Sequence, residues 1–186
     1  ISVVGAEQPD YQYHHLFRDF LLARLRAYDP ERLRAVQASA ARWYAAHHLP
    51  EAAVTFYLAA GALPEAAALA EDQAKALFTT GRHMTLRQWA EQLRDVAGQI
   101  PRVFLYLATA EADLGLADQA LADLDRATLG YQQRPGDGGR IGLVEVQLRR
   151  SFLHIKAGRF AEGLALAEPV AQLAESWLPV ASRASA

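Results

Sequence analysis

The chain of 186 residues has no cysteine and only one methionine. Without cysteine there are no disulfides and no thiolate metal sites, and the composition fits a reducing compartment, so a cytoplasmic location is expected. A dominant charge is missing too. Lys and Arg number 19 against 21 Asp and Glu, a formal net charge of -2, which leaves no chain-wide basic footprint for nucleic acid. No apolar run approaches the roughly 18 residues that span a bilayer, and no signal-peptide pattern opens the chain, so no membrane partner is expected. No Gly-x-x-x-x-Gly-Lys-Ser/Thr phosphate loop occurs. Gly136, Gly138 and Gly139 form a cluster, but no strand precedes them and their spacing is not that of a dinucleotide fingerprint. No Gly-x-Ser-x-Gly nucleophile elbow is present either.

What is present is helix-forming. Hydrophobic residues make up 52% of the chain, much of it alanine, with leucine, glutamate and arginine prominent and β-branched residues sparse. After a short β-like start (ISVVG) and a turn region at 5–10, Tyr13, Leu16, Phe17, Phe20, Leu21, Leu25 and Tyr28 recur at helical spacing over four turns. The run YQYHHLFRDFLLARL (11–25) therefore reads as a buried seam, with Arg18, Asp19, Arg24 and Arg26 towards solvent. His14 and His15, echoed by His47 and His48, invite a metal reading. Adjacent helical residues point about 100° apart, however, whereas zinc-binding helices use i, i+4 pairs, so one histidine of each pair is expected to pack or hydrogen-bond. Trp43, Tyr44 and Trp89 sit in helical stripes and are expected in the core.

A phrase then recurs: HHLPEAA (47–53), GALPEAA (61–67), GLADQAL (115–121) and GRFAEGL (158–164). Each ends one helix and starts the next, the glycine supplying the left-handed residue that terminates the first. Repeated helix–turn–helix units imply a solenoid. The expected helices are 14–27, 30–47, 50–60, 64–79, 84–95, 102–114, 117–129, 141–157 and 160–177. The helix over 103–114 is apolar nearly all round and should be buried on more than one face. GYQQRPGDGGR (130–140), polar and rich in Gly and Pro, reads as a mobile loop. The fold class is all-α, a right-handed superhelix of stacked helical hairpins.

With Gly115 at the turn, the unit around it resembles the tetratricopeptide repeat. Ala108, Ala120 and Ala127 fall on the small positions and Phe104, Leu107 and Leu124 on the large ones, while Glu111 stands where the repeat usually has tyrosine. The unit around Gly158 keeps Gly163 and Ala167 but places Arg150 at an apolar site. The tetratricopeptide resemblance implies that Arg102, Leu105, Thr109, Ala112 and Asp113 line a concave face, joined by Glu145, Leu148, Phe152, Ile155 and Lys156. Of these, Arg102, Thr109, Asp113, Glu145, Phe152 and Lys156 are the candidate ligand-binding residues. Leu148, Phe152 and Ile155 also read as a core stripe, and Arg149, Arg150, Gln147 and His154 as a solvated polar face.

YQYHHLFRDFLLARL, ARWYAAHHLPEAAVTFYLAAG (41–61), GALPEAAALAED, GRHMTLRQWAEQL (81–93) and IPRVFLYLATAEADLGLADQALADLDRA (100–127) resemble, in order and spacing, the MalT-like, ATP-dependent LuxR-type transcriptional regulators. The resemblance implies a fragment of a large signal-transduction ATPase. Residues 1–13 would be the tail of a winged-helix module, 14–29 a linking helix, 30–178 a tetratricopeptide-like sensor and 179–186 a tail. It implies a small-molecule inducer or regulatory protein as partner, contacts with other domains of the same chain, and DNA binding only through a C-terminal domain beyond this sequence. It implies no cofactor here, with ATP bound elsewhere in the full-length protein. The alternative is a scaffold that docks protein partners only. Catalysis is not expected: Glu111 and Asp113, and Asp123 and Asp125, lie two apart and face different ways, so no acid–base pair converges by spacing.

Overall fold

The computed structural model describes residues 2–4, 10–12 and 14–177, with side chains from 14 to 171. The architecture is all-α, consecutive helices packing as antiparallel hairpins, with one short ribbon in which β1 (Ser2–Val4) pairs antiparallel with β2 (Asp10–Gln12). The rest of 1–13, the side chains of Tyr13 and Trp177, Leu178 and the tail at 179–186 lie outside the described residues. The chain divides into two compact units, residues 1–66 and 67–186.

In the first unit, α1 (His15–Tyr28) packs on α2 (Pro30–Ala46), and α2 on α3 (Pro50–Ala60). Asp29 starts α2 as its sequence suggests: its side chain accepts the Arg32 N–H at 2.9 Å, and Pro30 fills the first helical position, where no partner for an N–H is needed. Leu33, Ala41, Ala53 and Val54 form the small core, and Tyr44 stacks on Phe56 at 5.2 Å. The turn into α3 is closed by His48 at φ 58°, a left-handed conformation in a non-glycine residue. His47 makes the polar contact expected of one histidine per pair: its Nδ1 lies 2.7 Å from the Trp43 carbonyl.

Two expectations fail here. The α1 stripe is not a buried seam: no residue of α1 is buried, and Leu16 and Phe20 are 67% and 56% exposed. One helix, α2, packs on α1 in this unit, and a single neighbour does not enclose a stripe several residues wide. Trp43 is 54% exposed and stacks on the His47 ring at 3.9 Å instead of entering the core. Trp89, in the second unit, is buried as expected.

The second unit takes in α4 (Leu63–Thr79) from residue 67, then α5 (His83–Gln92), a 3-10 helix (Arg94–Gln99), α6 (Pro101–Asp113), α7 (Ala117–Gln132), α8 (Gly136–Lys156) and α9 (Phe160–Trp177). Helices α6 and α7 form one hairpin and α8 and α9 the next, with α7 against α8 and α6 touching α8. Gly115 and Gly158 end α6 and α8 at φ 79° and 77°. The small positions do what the repeat requires. Ala108, Ala120 and Ala127 are fully enclosed, and Ser151 Oγ donates to the Gly163 carbonyl at 2.7 Å where α8 and α9 approach. As expected, α6 is buried on almost every side, from Pro101 and Val103 through Ala112.

The segment 130–140 is not a loop. Helix α7 runs on to Gln132 and α8 begins at Gly136, so only 133–135 connect them. Gly139 serves close contact, and Gly136 a left-handed start to α8 at φ 75°. A Cβ on Gly139 would run into the carbonyls of Arg134 and Tyr131, and one on Gly142 into the Tyr131 ring. An Arg140–Asp137 pair adds a further tie in the first turn.

This difference is measurable. Gly139→Ala should destabilise the chain by about 1–3 kcal/mol through overpacking. Gly138, which has open space where its Cβ would be, should accept alanine with a gain of up to about 1 kcal/mol in helix propensity. Urea unfolding of the two variants tests this; equal, near-zero changes would restore the loop reading.

Candidate functional site

Helix α6 presents chemistry on two sides. On the side towards α8, a cleft of about 190 Å³ is lined by Phe78, Thr109, Asp113, Arg149 and Phe152, over a floor of Ala108, Leu124 and Leu153. Three of the six candidate residues, Thr109, Asp113 and Phe152, thus meet in one place. Lys156 stands beside them: its Nζ donates to the Ala112 carbonyl at 2.8 Å and lies 3.7 Å from Asp113. Thr109 Oγ1 donates to the Leu105 carbonyl at 2.9 Å, so its lone pairs are available for another donor.

The other two candidates fall into a neighbouring cluster. The Arg102 N–H donates to Glu71 Oε2 at 2.9 Å, and its guanidinium lies close to the Tyr131 hydroxyl. Arg134 pairs with Glu71 at 2.7 Å and donates to the Gln99 carbonyl. Glu145 faces Tyr106 and Tyr131; burial, then the charge of Glu71, pushes the Tyr131 phenol up to about 12. Arg102 is therefore engaged at its backbone N–H. Phe152, Leu148 and Ile155 are 52%, 47% and 40% exposed, so they are surface, not a core stripe. In the α8 polar group, Arg150 pairs with Asp125 at 2.7 Å and His154 Nδ1 lies 2.8 Å from Glu162, whereas Arg149 has no ion-pair partner among the described residues.

On the side of α6 facing α5 and α7 lies a wider cleft of about 480 Å³, which the sequence did not disclose. At its base Glu111 and Asp123 are 3% and 4% exposed and within hydrogen-bonding reach of each other. Arg87 donates to Glu111 Oε1 at 3.0 Å and Arg126 pairs with Asp123. Burial first, and the Asp123 charge second, push the Glu111 carboxyl up to about 7. A carboxyl pair thus converges between α6 and α7, where spacing along one helix does not reveal it. The sequence signal was the acid at an interior repeat position; spacing within one helix was the wrong place to look for its partner, which comes from α7.

The sign of the linkage follows. The folded chain retains a proton on Glu111 that the unfolded chain releases near the ordinary value of 4.5, so this contribution to stability is complete below 4.5 and is lost as pH rises through about 7. Glu71 and Asp123, also raised chiefly by burial, act in the same direction. The urea midpoint should therefore fall as pH rises over that window, and Glu111→Gln should flatten the fall; an unchanged slope in the variant would show that Glu111 titrates normally.

No protein-family model, no curated protein and no solved structure matches the chain.

Proposed function

We propose that the chain is the signal-sensing part of a MalT-like, ATP-dependent LuxR-type transcriptional regulator. It binds an inducer or a regulatory protein on the α6–α8 face and performs no catalysis itself. Occupancy biases the full protein between a resting, self-inhibited form and an ATP-bound assembly that contacts DNA, with ATP and DNA held by other parts of that protein. Such a bias needs a ligand that favours one state by several kcal/mol, not one that merely binds.

The observation supporting this reading is the convergence of Thr109, Asp113, Phe152 and Arg149 on one small cleft, with Lys156 at their side. Aromatic walls with a few polar groups are what small-molecule recognition requires. A second reading, a scaffold that docks protein helices or peptides only, draws on the exposed stripe of Leu148, Phe152 and Ile155 on the same helix.

A thermal-shift screen against sugars, amino acids, nucleotides and aromatic metabolites distinguishes the two. At 100 times its dissociation constant a ligand stabilises by about 2.7 kcal/mol. Asp113→Ala and Arg149→Ala, both at exposed positions, should each weaken the response about tenfold, the worth of one charge-assisted hydrogen bond. A response that ignores both substitutions would remove the cleft from consideration, and a flat panel would favour the scaffold.

A further inference from the structure

The cleft between α5 and α7 takes no part in that reading and carries an inference of its own. Its base holds two carboxyls that are almost wholly buried, and Glu111 Oε2 meets no donor, since Arg87 reaches only Oε1. The Asp123 carboxyl beside it is likewise an acceptor. Two buried carboxyls side by side repel unless a cation lies between them, and burial, which raises both, favours a shared proton in the free protein. At the rim, Arg94 donates Nε to the Glu91 carbonyl at 3.1 Å, and among the described residues no carboxylate pairs with its guanidinium. Phe104 and Leu107 add apolar surface to the same cleft.

We propose that this cleft binds a small amphoteric ligand of the α-amino-acid class. Its ammonium lies against Glu111 and Asp123, its carboxylate against Arg94, and its apolar side chain along Phe104 and Leu107. The ammonium takes the place of the shared proton, which leaves to solvent, so the charge buried at the base is unchanged on binding. The arms of Arg87 and Arg126, 41% and 57% exposed, form the lip and can swing outward without breaking packed core. A metal ion fits less well. Among the described residues no group of three or more metal-binding side chains forms, and the arginines would repel a divalent cation. The charged groups facing Glu111 are Arg87 and Glu91 from α5, Arg94 from the 3-10 helix, and Asp123 and Arg126 from α7.

The test is isothermal titration of the whole chain with L-norleucine, with hexanoate (the same molecule without its amine) and with pentylamine (without its carboxylate). Norleucine should bind, with proton release visible in buffers of different ionisation enthalpy, and each truncated probe should bind about tenfold more weakly. Arg94→Ala should erase the difference between norleucine and pentylamine. Glu111→Gln should abolish the proton release. Asp113→Ala, in the α6–α8 cleft, should leave norleucine binding intact, which separates this site from the proposed sensor face. The proposal is overturned if norleucine gives no heat at millimolar concentration, if hexanoate binds as tightly, or if Arg94→Ala binds like the parent. Because Arg94 is exposed, that last variant decides the matter even if Glu111→Gln fails to fold.

Discussion

Enclosing α6 on nearly every side brings other helices up to both of its ends, and contacts made there tie the second unit together. A helix leaves its first N–H and last C=O groups unpaired. Here the following turn supplies backbone partners at the C-terminus, and neighbouring helices add side-chain partners at both ends. At the N-terminus Pro101 removes one donor, and Glu71 from α4 accepts the N–H of Arg102. At the C-terminus the ammonium of Lys156 from α8 donates to the Ala112 carbonyl. A carboxylate thus meets the positive end of the helix dipole and an ammonium the negative end. Glu71 also draws in Arg134, which in turn holds the Gln99 carbonyl of the 3-10 helix. One buried carboxyl therefore joins α4, the 3-10 helix, α6 and the end of α7.

Magnitudes show which contacts hold this unit together. Each fully buried Leu, Val or Phe contributes about 1.5–3 kcal/mol, whereas an exposed ion pair contributes about 0–1 kcal/mol. Leu86, Leu93, Ile100, Val103, Leu105 and Leu124 are all essentially inaccessible to solvent. The surface pair Arg150–Asp125 is small beside them. The buried acids behave differently: they specify rather than stabilise, because each is satisfied only if its partner helix arrives in register. Glu111 needs Arg87 from α5 and Asp123 from α7 at the same time.

The helices were legible in the sequence because their signals are local. Asp29-Pro30, the alanines at 108, 120 and 127 and the turn glycines each act within a few residues, and the observed helices follow the expected ones closely. The errors lie where the deciding partner is distant or missing. Gly136, Gly138 and Gly139 have the composition of a loop, and only the Tyr131 and Arg134 carbonyls pressed against Gly139 reveal a packed helix start. The α1 stripe has the spacing of a seam, yet spacing states which residues share a face and not whether another element covers it. Repeat geometry brought Thr109, Asp113 and Phe152 to one cleft because their positions follow from the hairpin itself. It gave no sign of the bond from the Arg102 N–H to Glu71, a residue 31 positions away.

The carboxylates of α6 carry this point furthest. Glu111 and Asp113 are two residues apart and do face different ways, as helical geometry demands. That separation rules out a pair within α6, but it also sets one acid on each side of an enclosed helix. Asp113 remains exposed beside Lys156, where its charge costs little. Glu111 is turned towards α5 and α7, where its charge cannot be hydrated, and its proton affinity rises in consequence. The two acids differ in chemistry because Glu111 is almost wholly buried at the base of its cleft, whereas Asp113 is exposed. The same enclosure that supplies most of the unit's stability therefore creates its most unusual acid.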